Sequence, residues 1–509
     1  MSANSPITLS FYGGVGSVTG SNFMLKGERT RLLVDCGLIQ GERFAQTLNR
    51  APFPYDPASI DYLLVTHAHI DHIGRIPKLA RDGFRGKIIS TPQTLELSRL
   101  MLPDAFSVLR SETPEGEEAL YDEGDIEKVF SFWGTVSLRQ PFTVGEFEVT
   151  TKESGHILGS VMFEISRSEI SLIKGSTPTS SRRRGVTTPA SEDGGIPFGA
   201  RETTPGAQSA SAPFTKGDLP KRKIVFTGDL GNAPTPLLKP AEAVTDAAYL
   251  VMESVYGDRN HEGGELRKER LANVIRATAE RGGVLLIPSF SLEKTQALLY
   301  ELDVLCEEKK IHQTPVFLDS PLAINITEVY RRHSASFNET ARAQIARGDD
   351  IFSFKNLRLT MDRRASSEIE RAPSPKIIIA GSGMSAGGRI LEHERRYLGD
   401  PKNTILFVGF QAVGSLGRQI QEGVKRIRIN HEDIKVRARI ETITGYSSHM
   451  DSEHLQEFAA KAAESGTLEK VFVVMGEPRA SLFLAQRIRD YLGVAAHVPE
   501  MGESVEIEL

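Results

Sequence analysis

The sequence predicts an α/β protein, and three observations carry that reading. From about residue 256, apolar β-rich runs alternate with helical patterns: a helix over 265–281 precedes a strand at 284–288, and a helix over 292–307 precedes a strand at 315–319. Units of this length lay parallel strands side by side and cover them with helices. The first third instead strings short apolar strands between Gly-containing turns, and several of these strands end in a single polar residue. At 509 residues the chain also exceeds a typical domain, so two or three are expected.

In chain order, 7–12 reads as a strand and Gly13, Gly14 and Gly16 as the loop after it. Residues 31–35 form a strand ending in Asp35, and 62–66 form an apolar strand that runs straight into His67. A strand pair follows at 146–152 and 160–165. From 166 to 222 the chain becomes rich in Ser, Thr, Pro, Gly and Arg and loses apolar periodicity. Such a stretch cannot bury enough surface to offset its ordering entropy, so it reads as a surface insertion between two strands. Its Arg182, Arg183 and Arg184 could touch a phosphate backbone, but a solvated loop is the favoured reading. The strand 223–227 resumes the fold and leads into Gly228-Asp229. A strand at 376–380 is followed by Gly381-Ser382-Gly383 and a helix starting near Gly388. The chain finishes with a strand at 471–475, a helix near 481–491 and a strand at 504–509, and it contains no convincing internal repeat.

Composition narrows the class. The formal net charge is −5, which runs against simple nucleic-acid binding through excess Lys and Arg, although local basic patches or metal ions could do that work. Cys36 and Cys306 are the only cysteines, so neither a disulfide framework nor a Cys-rich zinc site is expected, and a reducing cytoplasm fits. Residues 1–10 lack the pattern of a signal peptide, and no apolar run approaches the ~20 residues that span a bilayer. No residue in the sequence decides whether the chain pairs as a homodimer.

The sharpest chemical signal is Thr66-His67-Ala68-His69-Ile70-Asp71-His72. Four side chains able to bind a metal fall within six positions, directly after an apolar strand, and imidazole with carboxylate suits zinc. On a turn leaving a strand, His67 and His69 can face one ion while Asp71 and His72 face another. Two ions need further ligands. His156, in Ser154-Gly155-His156-Ile157-Leu158-Gly159-Ser160, and Asp229, in Thr227-Gly228-Asp229, are polar residues at Gly-flanked strand ends, and a carboxylate such as Asp229 can bridge two metals. His261, His312, His333, His393, His431 and His497 are scattered singly and read as surface or satisfied core residues.

Together with Asp35, these residues resemble the metallo-β-lactamase superfamily, which implies an αβ/βα sandwich with metals at one edge and Asp35 orienting the metal site. Met252-Glu253-Ser254-Val255-Tyr256-Gly257-Asp258-Arg259 and Gly445-Tyr446-Ser447-Ser448-His449-Met450-Asp451 are similar to two motifs of its β-CASP nucleases. The resemblance implies a first metallo-β-lactamase segment at 1–255 holding the 166–222 insertion, an inserted β-CASP domain at 256–441, and a returning segment at 442–509. It further implies a zinc-dependent phosphodiesterase that cleaves single-stranded RNA by metal-activated hydroxide attack. The metal ligands would be His67, His69, Asp71, His72, His156 and Asp229, with Asp71 also in the catalytic set. His449 would be the general acid and Glu253 its hydrogen-bonding partner.

One position departs from the family pattern. Where RNA-directed members place a ligating histidine before Gly-Glu, this chain has Met475 before Gly476-Glu477. A thioether is a weak donor for zinc, so a second ion is expected to be held less tightly, and Met475 itself reads as a buried strand residue. Glu477 or water could compensate. Ser289, Ser382 and Gly383 are candidate substrate contacts at strand ends. The alternatives are a DNA nuclease of the same clan, which Met475 keeps open, and a hydrolase of this fold acting on a non-nucleic-acid ester, which would have no use for Glu253 or His449. A non-catalytic subunit is disfavoured by the complete His67–His72 cluster.

Overall fold

The computed structural model describes residues 6–41, 44–113, 116–168, 221–311, 314–412 and 414–509. Most of the expected insertion, including Arg182, Arg183 and Arg184, lies outside the described residues, as does His312. The first sheet is built from β1 (Ile7–Gly13), β2 (Asn22–Lys26), β3 (Arg31–Val34), β4 (Tyr62–Leu64), β5 (Lys87–Ser90) and β6 (Trp133–Thr135). The second takes β7 (Phe142–Val144), β8 (Phe147–Glu153), β9 (Val161–Arg167), β10 (Ile224–Phe226) and β11 (Tyr249–Glu253). β9 runs past residue 165 because its side chains stay buried up to Ser166 and pair with β8 as far as Arg167.

A third sheet then forms from β12 (Val284–Pro288), β13 (Val316–Asp319), β14 (Leu357–Leu359), β15 (Lys376–Ala380), β16 (Thr404–Phe407) and β19 (Arg439–Thr442), with β17 (Arg426–Ile429) and β18 (Glu432–Lys435) as a separate antiparallel pair. The chain returns with β20 (Lys470–Val474) and β21 (Ala495–His497), which join the second sheet, and β22 (Ser504–Ile507), which joins the first. The orders are β22-β1-β2-β3-β4-β5-β6, β21-β20-β11-β10-β9-β8-β7 and β14-β13-β15-β12-β16-β19.

The first two sheets follow one plan. Each is antiparallel on one side (β22/β1/β2/β3; β10/β9/β8/β7) and parallel on the other (β3/β4/β5/β6; β21/β20/β11/β10). Phe11 of β1 meets Phe472 of β20 with ring centroids 5.3 Å apart, and Phe23 of β2 meets Phe226 of β10 at 6.1 Å. These rings, with Leu9, Leu25, Phe147 and Phe163, form the apolar layer that the two sheets enclose. Helices Ser452–Ala463 and Pro478–Leu492 cover the outer face of the second sheet over Val225, Leu250, Val471 and Val473. The architecture is therefore the αβ/βα sandwich. The third sheet is wholly parallel, and β12, β13, β15 and β16 are buried along their whole length, as strands covered on both faces must be.

Two features of the topology position the site. β3, β4, β10, β11 and β20 end at one edge, and Asp35, His67, Asp229, Glu253 and Met475 follow or close them. The carboxyl ends of parallel strands are where α/β proteins collect ligands. The third sheet lies in sequence between β11 and β20, which are parallel neighbours with Glu253 opposite Val474, so the inserted unit leaves and re-enters at that same edge. No described helix is long and apolar enough to cross a membrane.

Phe472→Ala would empty a ring-sized space in the layer between the sheets. It should lower stability by about 3–5 kcal/mol, read as a lower urea midpoint.

Candidate active site

The site starts from Asp35, which is buried in the left-handed region at φ 59° just after β3. Its Oδ1 accepts from the Thr66 backbone N–H at 2.8 Å, and its Oδ2 accepts from Thr66 Oγ1 at 2.9 Å. The same Oδ2 lies 2.7 Å from His72 Nδ1. One carboxylate thus fixes both ends of the His67–His72 turn. Helix Ile70–Ile73 is only four residues long, and His69 is the residue before it, which sends Asp71 and His72 to a different side from His67 and His69.

These contacts settle the tautomers. Thr66 Oγ1 gives its proton to Asp35, so His67 Nδ1, 3.0 Å from that oxygen, must donate to it. His156 Nδ1 donates to the Ser448 carbonyl at 3.1 Å. His67 Nε2 and His156 Nε2 are left with lone pairs, and each lies 3.1 Å from His69 Nδ1. Asp229 Oδ2 lies 3.5 Å from His67 Nε2 and 3.4 Å from His156 Nε2. His67, His69, His156 and Asp229 therefore converge on one point with all their donor atoms within 4.8 Å of each other. Two imidazole lone pairs and a carboxylate oxygen thus meet His69 Nδ1 at one place, and histidine nitrogens with a carboxylate are a donor set suited to zinc.

A second group adjoins the first. His72 Nε2 lies 3.4 Å from Asp229 Oδ2 and 3.9 Å from Asp71 Oδ2. His72 Nε2 and Asp229 Oδ1 are buried and have no hydrogen-bond partner. Orphaned buried atoms of this kind are costly, and a second cation between Asp71, His72 and Asp229 would satisfy both. The two halves differ in protonation. Burial holds His67 and His156 well below the ordinary imidazole range and takes His69 down to about 3, so these three are already neutral, as ligands must be. Burial pushes Asp71 up to about 6. It would also depress His72, but the facing Asp229 and Asp35 carboxylates outweigh it and raise that imidazole well above its usual range. The first half is ready for a metal, whereas the second must give up a proton to bind one.

Glu253 closes β11 and is fully buried. Its Oε1 accepts from the Leu230 N–H at 2.7 Å and lies 3.3 Å from His449 Nδ1. His449 Nδ1 is also 3.8 Å from Asp229 Oδ2, and the His449 side chain keeps 21% of its surface exposed. Burial would lower the His449 pKa, but Glu253 and Asp229 together raise it above the ordinary value. With Nδ1 turned to Glu253, the opposite ring nitrogen is the one able to give a proton outward.

Other expectations meet the structure in different ways. Met475 is buried and packs in the layer between the sheets, but it lies one residue beyond β20 at φ 50°, so it is a turn residue and not a strand residue. A Cβ on Gly14 would fall 2.3 Å from Met475 Sδ, so Gly14 leaves room for that thioether. Ser289 is buried, and its hydroxyl engages Thr295 Oγ1 at 3.0 Å. Ser382 Oγ accepts from the Ala386 N–H at 3.0 Å, the Ser382 N–H donates to the Gly387 carbonyl at 3.3 Å, and the Gly383 carbonyl accepts from Gln411 at 2.8 Å. These three residues sit at the carboxyl ends of the adjacent strands β12 and β15, with these groups engaged within the protein.

Sequence reading gave no role at the site to three neighbours. His261 donates from Nε2 to the His449 carbonyl at 3.1 Å, and Tyr256 packs edge-on against the His261 ring at 4.3 Å. Lys294 is buried at the first position of helix Lys294–Glu307; its Nζ donates to the Tyr446 carbonyl and to Ser448 Oγ at 2.7 Å. Burial takes its pKa down to about 7. A lysine at a helix N-terminus opposes the helix dipole, and that is the one local signal that could have drawn attention to it.

Family models match most of the chain. One for the metallo-beta-lactamase superfamily domain matches residues 24–177, one for the Beta-Casp domain 295–420, and one described as a Zn-dependent metallo-hydrolase RNA specificity domain 433–499. The chain belongs to the metallo-β-lactamase superfamily, in the β-CASP branch, whose members bind divalent metal. Among its relatives, Ribonuclease TTHA0252 of Thermus thermophilus is 29% identical over 97% of this chain and 99% of that protein. Transcription termination factor FttA of Methanosarcina mazei is 27% identical over 97% of this chain and 71% of that protein. The FttA of Pyrococcus horikoshii is 28% identical over 98% and 71%. A crystal structure of a protein of unknown function from Enterococcus faecalis shares the fold, with a TM-score of 0.50 and 11% identity over 99% of this chain and 100% of that one.

Asp35→Asn keeps the shape but cannot accept from His72 and Thr66 together in the same way. Metal affinity should fall about 10–100-fold, measured by competition with a chromophoric chelator.

Proposed function

We propose that this chain is a zinc-dependent phosphodiesterase that cleaves single-stranded RNA. The observation that carries this is the His449–Glu253 pair, which stands at the edge of the histidine cluster with His449 Nδ1 3.8 Å from Asp229 Oδ2. A hydrolase of small esters has no need of a proton donor held in this position. The name of the Thermus relative, a ribonuclease, and the RNA specificity described for the model matching 433–499 support RNA as the substrate.

In this reading His67, His69, His156 and Asp229 would hold one ion, and Asp71, His72 and Asp229 would hold another. When bound, such metals supply Lewis-acid neutralisation of phosphate charge and an ionised water as nucleophile. The protein's own contribution lies in position and protonation. Asp35 orients His72, the Ser448 carbonyl orients His156, and Thr66 orients His67. His449 protonates the leaving ribose oxygen from the ring nitrogen that faces outward, and Glu253 fixes its tautomer and stabilises its charged form. The products carry a 5′-phosphate and a 3′-hydroxyl. Ser289, Ser382 and Gly383 would serve the substrate through the strand ends they occupy. With Met475 unable to supply an imidazole, the Asp71–His72 half binds its metal more weakly. The division into 1–255, 256–441 and 442–509 belongs to the same reading; it is supported by the position of the third sheet between β11 and β20.

His449→Ala should lower cleavage of an end-labelled single-stranded RNA by about 10²–10⁴-fold and leave bound zinc unchanged; retained activity would remove the acid role. Parallel assays on single-stranded DNA of the same sequence should show far slower cleavage, and equal rates would favour the DNA nuclease instead. Metal analysis after dialysis should find one ion retained more firmly than the other. Met475→His, at a backbone conformation that histidine tolerates better than most residues, should narrow that difference.

A further inference from the structure

Helix Lys294–Glu307 carries Lys294 at the active site, and its other end meets a second group of metal-capable side chains. Asp303 and Glu307 are one turn apart on the same face, where like charges repel. Asp349 joins them from the turn that follows helix Glu339–Ala346. One carboxylate oxygen from each lies within 4.8 Å of the other two.

The second observation is Asp303 itself. It is only 4% exposed, and its Oδ2 is buried with no hydrogen-bond partner. Burial and then the charges of Asp349, Glu307 and Asp350 push its pKa up to about 7. Of these, Asp350 is paired with Arg331 at 3.1 Å. A buried carboxylate that stands in a group of three and leaves one oxygen without a partner is an uncompensated arrangement, and a cation in the group resolves it. The frame around it is already tied, because Tyr300, one turn before Asp303, donates its hydroxyl proton to Gln344 Oε1 at 2.7 Å and so links the two helices.

We propose that Asp303, Glu307 and Asp349 form a second divalent-cation site, distinct from the histidine centre and suited to Ca²⁺. The donors are all oxygen, which favours a hard ion over zinc. Ca²⁺ takes ligands at about 2.3–2.6 Å in flexible geometry and accepts an irregular set of carboxylates, whereas Mg²⁺, at about 2.0–2.1 Å, demands a near-octahedral one. The bound ion pins the turn at 347–350 to the helix that carries Lys294. With three carboxylates and an open side, affinity in the range of about 10⁻⁴–10⁻³ M is expected.

The test uses zinc-loaded full-length protein, so that the histidine centre is filled. Tb³⁺ is the probe, since Tyr300 stands close enough to sensitise its luminescence. One saturable Tb³⁺ site should appear, and Ca²⁺ should displace the ion at lower concentration than Mg²⁺. Asp303→Asn and Glu307→Gln should each weaken Tb³⁺ binding at least about tenfold. The exposed Glu307 makes the second variant safe for folding, and it should leave the RNA cleavage rate unchanged. Absence of a saturable signal, or undiminished binding in Glu307→Gln, overturns the site. Displacement by Mg²⁺ in preference to Ca²⁺ overturns the choice of ion.

Discussion

The carboxylate of Asp35 is the contact on which the site depends. It is buried at the end of β3 and accepts from the backbone and hydroxyl of Thr66 and from His72. These bonds reach from one strand to the turn after its neighbour, so the register of β3 against β4 becomes the geometry of the histidines. The effect passes along the chain: with its hydroxyl proton committed to Asp35, Thr66 must accept from His67, and the His67 lone pair is thereby aimed at His69 and His156. A charged acceptor with several donors is among the stronger hydrogen-bonded arrangements in a protein interior. Here it turns a flexible loop into a fixed set of ligands.

Much of this was legible in the sequence, for an identifiable reason. His67, His69, Asp71 and His72 are crowded together, and Asp35, His156 and Asp229 each stand as one polar residue at a strand end. Local pattern marks such residues as candidates, and the family resemblance ties Asp35, His156 and Asp229 to the cluster. Lys294 and His261 could not be found that way, because their significance lies in partners far off in sequence: Lys294 bonds Ser448, and His261 bonds the His449 carbonyl. The alternating α/β pattern was read correctly, with ends displaced by local backbone. The helix expected at 292–307 begins at Lys294, since Glu293 adopts φ 67°. Ser289 and Ser382 sit at the expected strand ends, but periodicity carries no information on where a hydroxyl turns.

The two halves of the proposed metal centre are unequal for physical reasons that agree. One consists of histidines that burial has already made neutral. The other contains an imidazole held protonated between two carboxylates and a carboxyl whose pKa is raised. Asp229 belongs to both, so a change in either half is transmitted through a single side chain.

Glu253 and His449 are 196 residues apart in sequence, on opposite sides of the inserted unit, yet they meet at one edge of the sandwich. A chain emerging from the ribosome has therefore made every histidine and aspartate of the metal centre well before it has made the proton donor. β20, which seats β11 against the rest of its sheet, comes later still. On the proposed mechanism, a chain still being synthesised would carry the histidine cluster before it carries the group that protonates the leaving oxygen. The third sheet, lying in sequence between β11 and β20, thus sets the order in which the parts of the proposed site are made.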